Sequence, residues 1–444
     1  MAVELSPDSE KQEIWDELQR VRRELEKARK ALDDYKKRHP ETVGVKHGRA
    51  YVIQSPAFPA EPSGRKPGAQ PGHAGRNRPL APIDARVRLR LKTCPDCCGN
   101  NLSRIQEKRI RTVEDITVAQ ATATQFTLER RYCRDCQKLV EPVVATALKG
   151  ARIGLRAMLM VAWLRIANRV PEEAVAHLMR DCFGLRISTG EVQHILDQLA
   201  HAYSGFYDAL LADLRKRATK NMDESTWRTN GVNQYAWAFV SQWETVFVID
   251  PRRSHHVPLA VLGPDAEGVA TIDGHSAYRT LANKTNLRLQ RCWAHILGDA
   301  KELAQFYGDE GQRILDGMKP IYAKAKDYAG TATPYQLARL HDALRAVLDQ
   351  PFKSHHCKTF ARNHLKHADD LFRFATNPHI DGTNNRAERA IRPLVVARKI
   401  SGGSRSHKGA RVRALLTSVQ QTLAQQGLRF LEGPGLHGRP ASMG

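Results

Sequence analysis

The runs ATKNMDESTWR (residues 218–228) and QYAWAFVSQW (234–243) flank the pair Asn230-Gly231. β-Favouring residues on both sides of an Asn-Gly pair are a strong hairpin signal. TVFVI (245–249) reads as a third strand. The period then changes. VPLAVL (257–262) suits a short helix, GVATI (268–272) a fourth strand, residues 276–283 a helix and LRLQR (287–291) a strand, with another helix from about Trp293. Strands joined by hairpins, then strands alternating with helices, predict a mixed sheet with helices packed on it. The expected fold class is therefore α/β, and 444 residues leave room for several domains.

Two aspartates sit at telling places on this sheet. Asp223 lies within the first strand and Asp273 ends the fourth, where Gly274 permits close backbone approach. Strand alternation sends Asp223 and Glu224 to opposite faces, so only one of them is expected at a shared site. If the first and fourth strands are neighbours, Asp223 and Asp273 meet at the open edge of the sheet.

A third carboxylate comes from far along the chain. Between Arg386 and Arg413 there are nine Lys or Arg and one acid, Glu388. So basic a stretch suits a polyanion, and the lone acid could hold a metal against a phosphate. The plainer reading is local: Asn385 and Glu388 match a capping box, and Glu388 to Arg392 is a helical ion-pair spacing. Three carboxylates together would suit Mg²⁺, which takes oxygen ligands and keeps several waters. Residues 296–376 read as helical and separate Glu388 from the strands.

Upstream, Ile14, Leu18, Val21, Leu25, Ala28, Leu32 and Tyr35 form a heptad stripe, so residues 10–38 are expected to be a coiled-coil helix seeking a partner. Residues 39–83 are rich in Pro, Gly and basic side chains, a linker in which Arg65, Lys66, Arg76 and Arg78 could track phosphates. Residues 84–145 hold the knuckles Cys94-x-x-Cys97 and Cys133-x-x-Cys136, enough to close a tetrahedral Zn²⁺ site, although Cys98 could stand in for Cys97. Strands expected at 109–118 and 122–132 would pair as a hairpin and bring the knuckles together. Cys182, Cys292 and Cys357 read as buried small residues. Residues 150–206 read as helices, with Ser188 to Glu191 as a capping box after a turn at Gly184, in the outline of a helix-turn-helix. Residues 207–431 are expected to form the sheet domain. Beyond Gly427 Gly and Pro dominate and disorder is expected, with residues 432–444 as a disordered tail.

The balance of 69 basic to 47 acidic residues, formally +22, favours nucleic acid as partner. The longest apolar run, residues 157–164, stops at Arg165, short of the roughly 20 residues a membrane helix needs. The opening MAVELS is unlike a signal peptide, so a cytoplasmic, nucleoid-associated protein with reduced thiols is expected.

Several motifs, in order, resemble one family. They are GRKPGAQPGH (64–73), the cysteine knuckles, MDES (222–225), IDGHSAY (272–278), CWAH (292–295) and NNRAERAIRP (384–393). The chain is similar to bacterial DDE transposases of the insertion sequence 66 family. The resemblance implies an RNase H-like core interrupted by a helical insertion, with Asp223, Asp273 and Glu388 as its acidic triad. It also singles out Cys292 and His295, whose spacing is half a zinc site with no matching half, as support for the active centre. The implied activity is Mg²⁺-dependent cleavage and strand transfer of double-stranded DNA, with two ions and Mn²⁺ able to substitute. Arg386, Arg389, Arg392, Arg398 and Lys399 would position phosphates. A homo-oligomer through the N-terminal helix and helper proteins of the same element are the other expected partners. The competing readings are a non-catalytic zinc-containing DNA-binding protein, or decayed copy, and a nuclease that cuts without joining.

Overall fold

The computed structural model describes residues 82–90, 92, 96, 99–100, 102–113, 119–433 and 436. The heptad stripe, the basic arm with Arg65, Lys66, Arg76 and Arg78, and the knuckle at Cys94 and Cys97 lie outside them. The chain divides into two compact units, Met1–Glu114 and Asp115–Gly444. The described residues of the first unit carry no helix or strand.

The second unit opens with a small antiparallel ribbon, β1 (Arg131–Cys133) and β2 (Lys138–Val140), paired Cys133 to Lys138. This corrects the hairpin expected between the knuckles. Described residues 109–113 and 119–130 form no strand and are exposed throughout, with no partner edge to satisfy a ladder. The ribbon instead brackets Cys133 and Cys136.

Helices α1 (Leu155–Ala162, continued by a wider turn to Ala167), α2 (Glu172–Phe183) and α3 (Thr189–Ala202) follow. The Ser188 hydroxyl accepts the Glu191 N–H at 3.1 Å and starts α3 as expected. Their shared core takes in Met158, Leu159, Val175, Ile195, Leu199 and Tyr203. Phe430 belongs to the same core, stacked on Tyr203 at 6.1 Å. Order therefore extends past Gly427, because an aromatic side chain there finds an apolar seat. Cys182 is another correction: it lies on the exposed face of α2, whereas Cys292 and Cys357 are buried.

α4 (Ser204–Lys216) leads into a five-stranded sheet of order β5-β4-β3-β6-β7. Its strands are β3 (Thr219–Thr229), β4 (Val232–Val240), β5 (Thr245–Asp250), β6 (Glu267–Ile272) and β7 (Asn286–Arg291). β3, β4 and β5 are antiparallel neighbours, while β3–β6 and β6–β7 are parallel. Asn230 (φ 51°) and Gly231 (φ 76°) make the tight turn between β3 and β4. The first and fourth strands of the sheet are thus neighbours.

Alternation along β4 divides the two faces. Trp237 and Phe239 join Met222 under α4, α5 (His256–Leu262) and α6 (Ser276–Ala282). Ala236, Ala238 and Val240 face the other way, against Ala387, Ile391, Leu394 and Ala397 of α12 (Asn385–Ser401) and Ala414 of α13 (His407–Gln425). Small residues on that face let α12 approach the strands closely.

Between β7 and α12 stand α7 (Trp293–Phe306), α8 (Gly308–Tyr328), α9 (Pro334–Leu348), α10 (His355–Lys366) and α11 (Asp369–Thr376). Their core also takes in Val269 of β6; in it Trp293 stacks on Tyr322 at 5.0 Å and donates from Nε1 to the Leu371 carbonyl at 2.6 Å. The insertion is joined to the sheet domain as well, since Gln290 of β7 donates to the Leu371 carbonyl at 3.1 Å and Arg373 to the Leu289 carbonyl at 3.0 Å.

Candidate functional site

The edge of β3 sets the site. Its pairing with β6 ends at Asn221 opposite Thr271, and β3 runs on past β6 to where Asn384, Arg398 and Ser404 donate to the Met222, Thr226 and Arg228 carbonyls. Asp223 lies just beyond the last pair, on the α12 face, and its carboxylate accepts the Glu224 N–H at 2.9 Å. Asp273 follows β6 directly and accepts the His275 N–H at 2.9 Å. At Gly274 the near neighbour is a side chain and not another stretch of backbone: a Cβ there would lie 3.3 Å from the Arg291 guanidinium.

Asp223, Glu224 and Asp273 each bring a carboxylate oxygen within 4.8 Å of the others. This corrects the expectation that only one of Asp223 and Glu224 could reach the place. The two do leave opposite faces, but both lie beyond the last β6 pair, where β6 no longer stands beside β3. The Glu224 side chain is 1% exposed and is held by Arg253 at 2.8 Å, by the Tyr278 hydroxyl and by His275 at 3.9 Å. Sequence reading missed it; its signal was adjacency to Asp223 at a strand edge. Asp223 is left with burial and the charges of Glu224, Asp273 and Glu388, which together hold its carboxyl well above the usual carboxylate range. Crowded acidic oxygens of this kind fit a hard divalent cation.

Glu388 arrives on the first turn of α12. It does not cap that turn, since α12 has no side-chain cap. Its carboxylate faces His295 Nδ1 at 3.7 Å, where Arg392 was the expected ion-pair partner. A Glu388 oxygen, the His295 ring and Cys292 Sγ lie within 4.8 Å of one another. Contact with Cys292, and then the charges of Cys292, Glu388 and Asp273, lift the His295 pKa to about 9 against the effect of burial. Its buried Nδ1 has no hydrogen-bond partner.

The loop before α12 fixes this delivery. Asn384 is fully buried. Its side-chain amide donates to the Met222 carbonyl at 2.8 Å and its backbone N–H donates to Cys292 Sγ at 3.1 Å. The Asp381 carbonyl accepts from Thr271 Oγ1 at 3.0 Å, and the Gly382 carbonyl from the Trp293 N–H at 3.0 Å. One short segment therefore bonds β3, β6 and the start of α7. The motif around Asn384 was visible in the sequence, but its tethering role was not.

The basic residues differ in exposure. Arg386 pairs with Asp381 at 2.7 Å, and Arg398 donates to the Thr226 carbonyl and hydroxyl of β3. Arg389, Arg392 and Lys399 are exposed along α12. At the knuckle, Cys133 accepts backbone and side-chain hydrogen bonds from Cys136 and a backbone bond from Asp135, which lower its thiol pKa. Backbone N–H groups turned onto a sulfur suit a thiolate ligand for zinc.

Two family models match this chain. One described as "Transposase IS66 family" covers residues 151–412, and one described as "zinc-finger binding domain of transposase IS66" covers residues 92–137. "Uncharacterized protein y4jD" of Sinorhizobium fredii (strain NBRC 101917 / NGR234) is 25% identical over 390 residues, 79% of this chain and 74% of that protein. "Uncharacterized protein y4qI" of the same organism is 27% identical over 186 residues, 37% of this chain. The match spans about a third (34%) of that relative's length. Among the described residues no helix is long and apolar enough to cross a membrane.

Proposed function

The chain belongs to the transposase IS66 family, and on that premise we propose that it cleaves the ends of a mobile element and joins them to target DNA with Asp223, Asp273 and Glu388 as its acidic triad. The observation that carries the reading is the state of Asp223. Its carboxyl is buried, and the charges of Glu224, Asp273 and Glu388 converge on it. A folded chain keeps such unrelieved repulsion where a cation and a phosphate belong. The order β5-β4-β3-β6-β7, with three antiparallel strands followed by two parallel ones, supports an RNase H-like core.

Asp223, Asp273 and Glu388 would hold Mg²⁺, one ion or two, with Mn²⁺ able to substitute. When bound there, the cation makes water a nucleophile at neutral pH and offsets charge growing on phosphate oxygens. Asp223 and Asp273, fixed by backbone N–H groups, orient their oxygens at the sheet edge. Glu388 approaches from α12, steadied by His295 and the Cys292–Asn384 contact. Arg389, Arg392 and Lys399 lie along the same helix to bind phosphates, while Arg386 and Arg398 brace it. Water attacks the phosphodiester at the element end, and the released 3′-hydroxyl attacks the target strand. No covalent protein–DNA link is needed.

The other segments find and pair the DNA ends. Residues 10–38 would join protomers, and residues 39–83 would follow phosphates. The zinc module at 84–145 (Cys94, Cys97, Cys133 and Cys136) and the helices at 150–206 read the element end. Residues 207–431 are the catalytic core, interrupted at about 296–376, and residues 432–444 are a tail. The protein would act at the nucleoid, with helper proteins of the same element as further partners. Replacing Asp223 with Ala should leave end binding intact and abolish both cleavage and joining. A variant that still joins ends with Mg²⁺ removes the assignment.

A further inference from the structure

Cys292, His295 and Glu388 gather a sulfur, a ring nitrogen and a carboxylate oxygen, all within 4.8 Å of one another. Two elements supply them. Cys292 is the residue that opens α7, His295 sits in the first turn of that helix, and Glu388 comes from the first turn of α12. The Cys-x-x-His spacing puts both α7 donors on one side of the helix start.

Two further observations point to a ligand. His295 Nδ1 is buried and has no hydrogen-bond partner, yet it faces the Glu388 carboxylate at 3.7 Å. A buried ring nitrogen without a partner is costly unless something else meets it. Cys292 is 1% exposed, and its sulfur accepts the Asn384 N–H at 3.1 Å. An amide N–H on sulfur is the kind of outer contact that steadies a metal-bound thiolate. His295 and Glu388 are 38% and 41% exposed, so an ion can reach the cluster from solvent.

The donor chemistry differs from that of the neighbouring carboxylates. Asp223, Glu224 and Asp273 offer only oxygen, which suits Mg²⁺. Thiolate, imidazole and carboxylate together suit a borderline cation, and three protein ligands leave a fourth tetrahedral position open. We propose that Cys292, His295 and Glu388 form a binding site for one Zn²⁺ ion, separate from the cysteine knuckles and different in metal preference from the all-oxygen cluster beside it. The site goes beyond the catalytic reading; it shares Glu388 with that reading, in which Cys292 and His295 only steady the carboxylate. Zn²⁺ there would engage Glu388 and so compete with its use at the all-oxygen cluster.

The test is zinc content in the full-length protein. Each sample is loaded with Zn²⁺, freed of loose metal by gel filtration and assayed by elemental analysis. His295→Asn changes a part-exposed side chain and should lower the content by one ion per chain, with the circular dichroism spectrum unchanged. Cys133→Ser/Cys136→Ser should remove a different ion, so the losses add when the variants are combined. In that knuckle-deficient background, Co²⁺ should still give thiolate-to-metal absorption, and Cys292→Ser should abolish it. Content unchanged by His295→Asn, or no thiolate absorption in the knuckle-deficient chain, overturns the proposal. Either result leaves the triad untouched, because Asp223→Ala tests that by strand transfer with Mg²⁺ alone.

Discussion

The side-chain amide of Asn384 donates to the Met222 carbonyl at 2.8 Å, so the residue before Asp223 is tied to the residue that starts α12. Glu388 stands four positions further on. Two carboxylates separated by 165 residues are thus registered by one buried amide, since 388 minus 223 is 165.

Asn384→Ala should therefore harm both stability and function. It leaves the Met222 carbonyl without that donor and frees the start of α12. Loss of a buried hydrogen-bond partner costs about 1–3 kcal/mol. Urea unfolding followed by fluorescence should show that loss, and strand transfer should fall with it. An unchanged midpoint would mean that the loop is held by other bonds.

Asp223 makes the stability of the cation-free protein depend on pH. Its folded pKa is raised above the ordinary 3.8, by burial first and then by Glu224, Asp273 and Glu388. An acid with a raised folded pKa loses its proton first in the unfolded chain. Its stabilising contribution is full below pH 3.8 and declines as pH rises through the folded value. Asp223→Asn should accordingly raise the thermal midpoint of the metal-free chain at pH 7 and flatten its fall with pH. A lower midpoint in the variant would show that the wild-type carboxylate is not under strain.

Cation binding should reverse that penalty. Mg²⁺ at about 100 times its dissociation constant should stabilise the wild-type chain by about 2.7 kcal/mol. Asp223→Asn and Asp273→Asn should respond far less. Equal stabilisation of all three chains by Mg²⁺ would place the ion elsewhere.

The sheet was legible because its signals are local. Asn230-Gly231 marked the hairpin, and β-favouring residues marked its two strands and the strand after them. The neighbouring of β3 and β6 needed only a short list of plausible topologies. What stayed hidden is geometry between distant segments. Glu224 joins Asp223 because β6 stops short, which depends on pairing register and not on the residues around Glu224. Asn385 and Glu388 resembled a capping box, yet Asn384 uses its side chain on β3 and Glu388 turns to His295. Phe430 sits among glycines, and its burial depends on Tyr203, more than 200 positions away.

Phe430 gives a test of that last packing. Phe430→Ala should destabilise the second unit by about 3–5 kcal/mol, as deletion of a buried aromatic does. Heat unfolding would show it. A change under about 0.5 kcal/mol, typical of surface sites, would mean the ring is not seated on Tyr203.

The most direct measurement is anomalous scattering from Mn²⁺ in crystals of the protein with an element-end DNA duplex. We expect density within about 2.1 Å of oxygens from Asp223 and Asp273, with Glu388 and a phosphate oxygen closing the same site. Manganese bound away from these carboxylates, with the DNA backbone elsewhere on the surface, would contradict the triad.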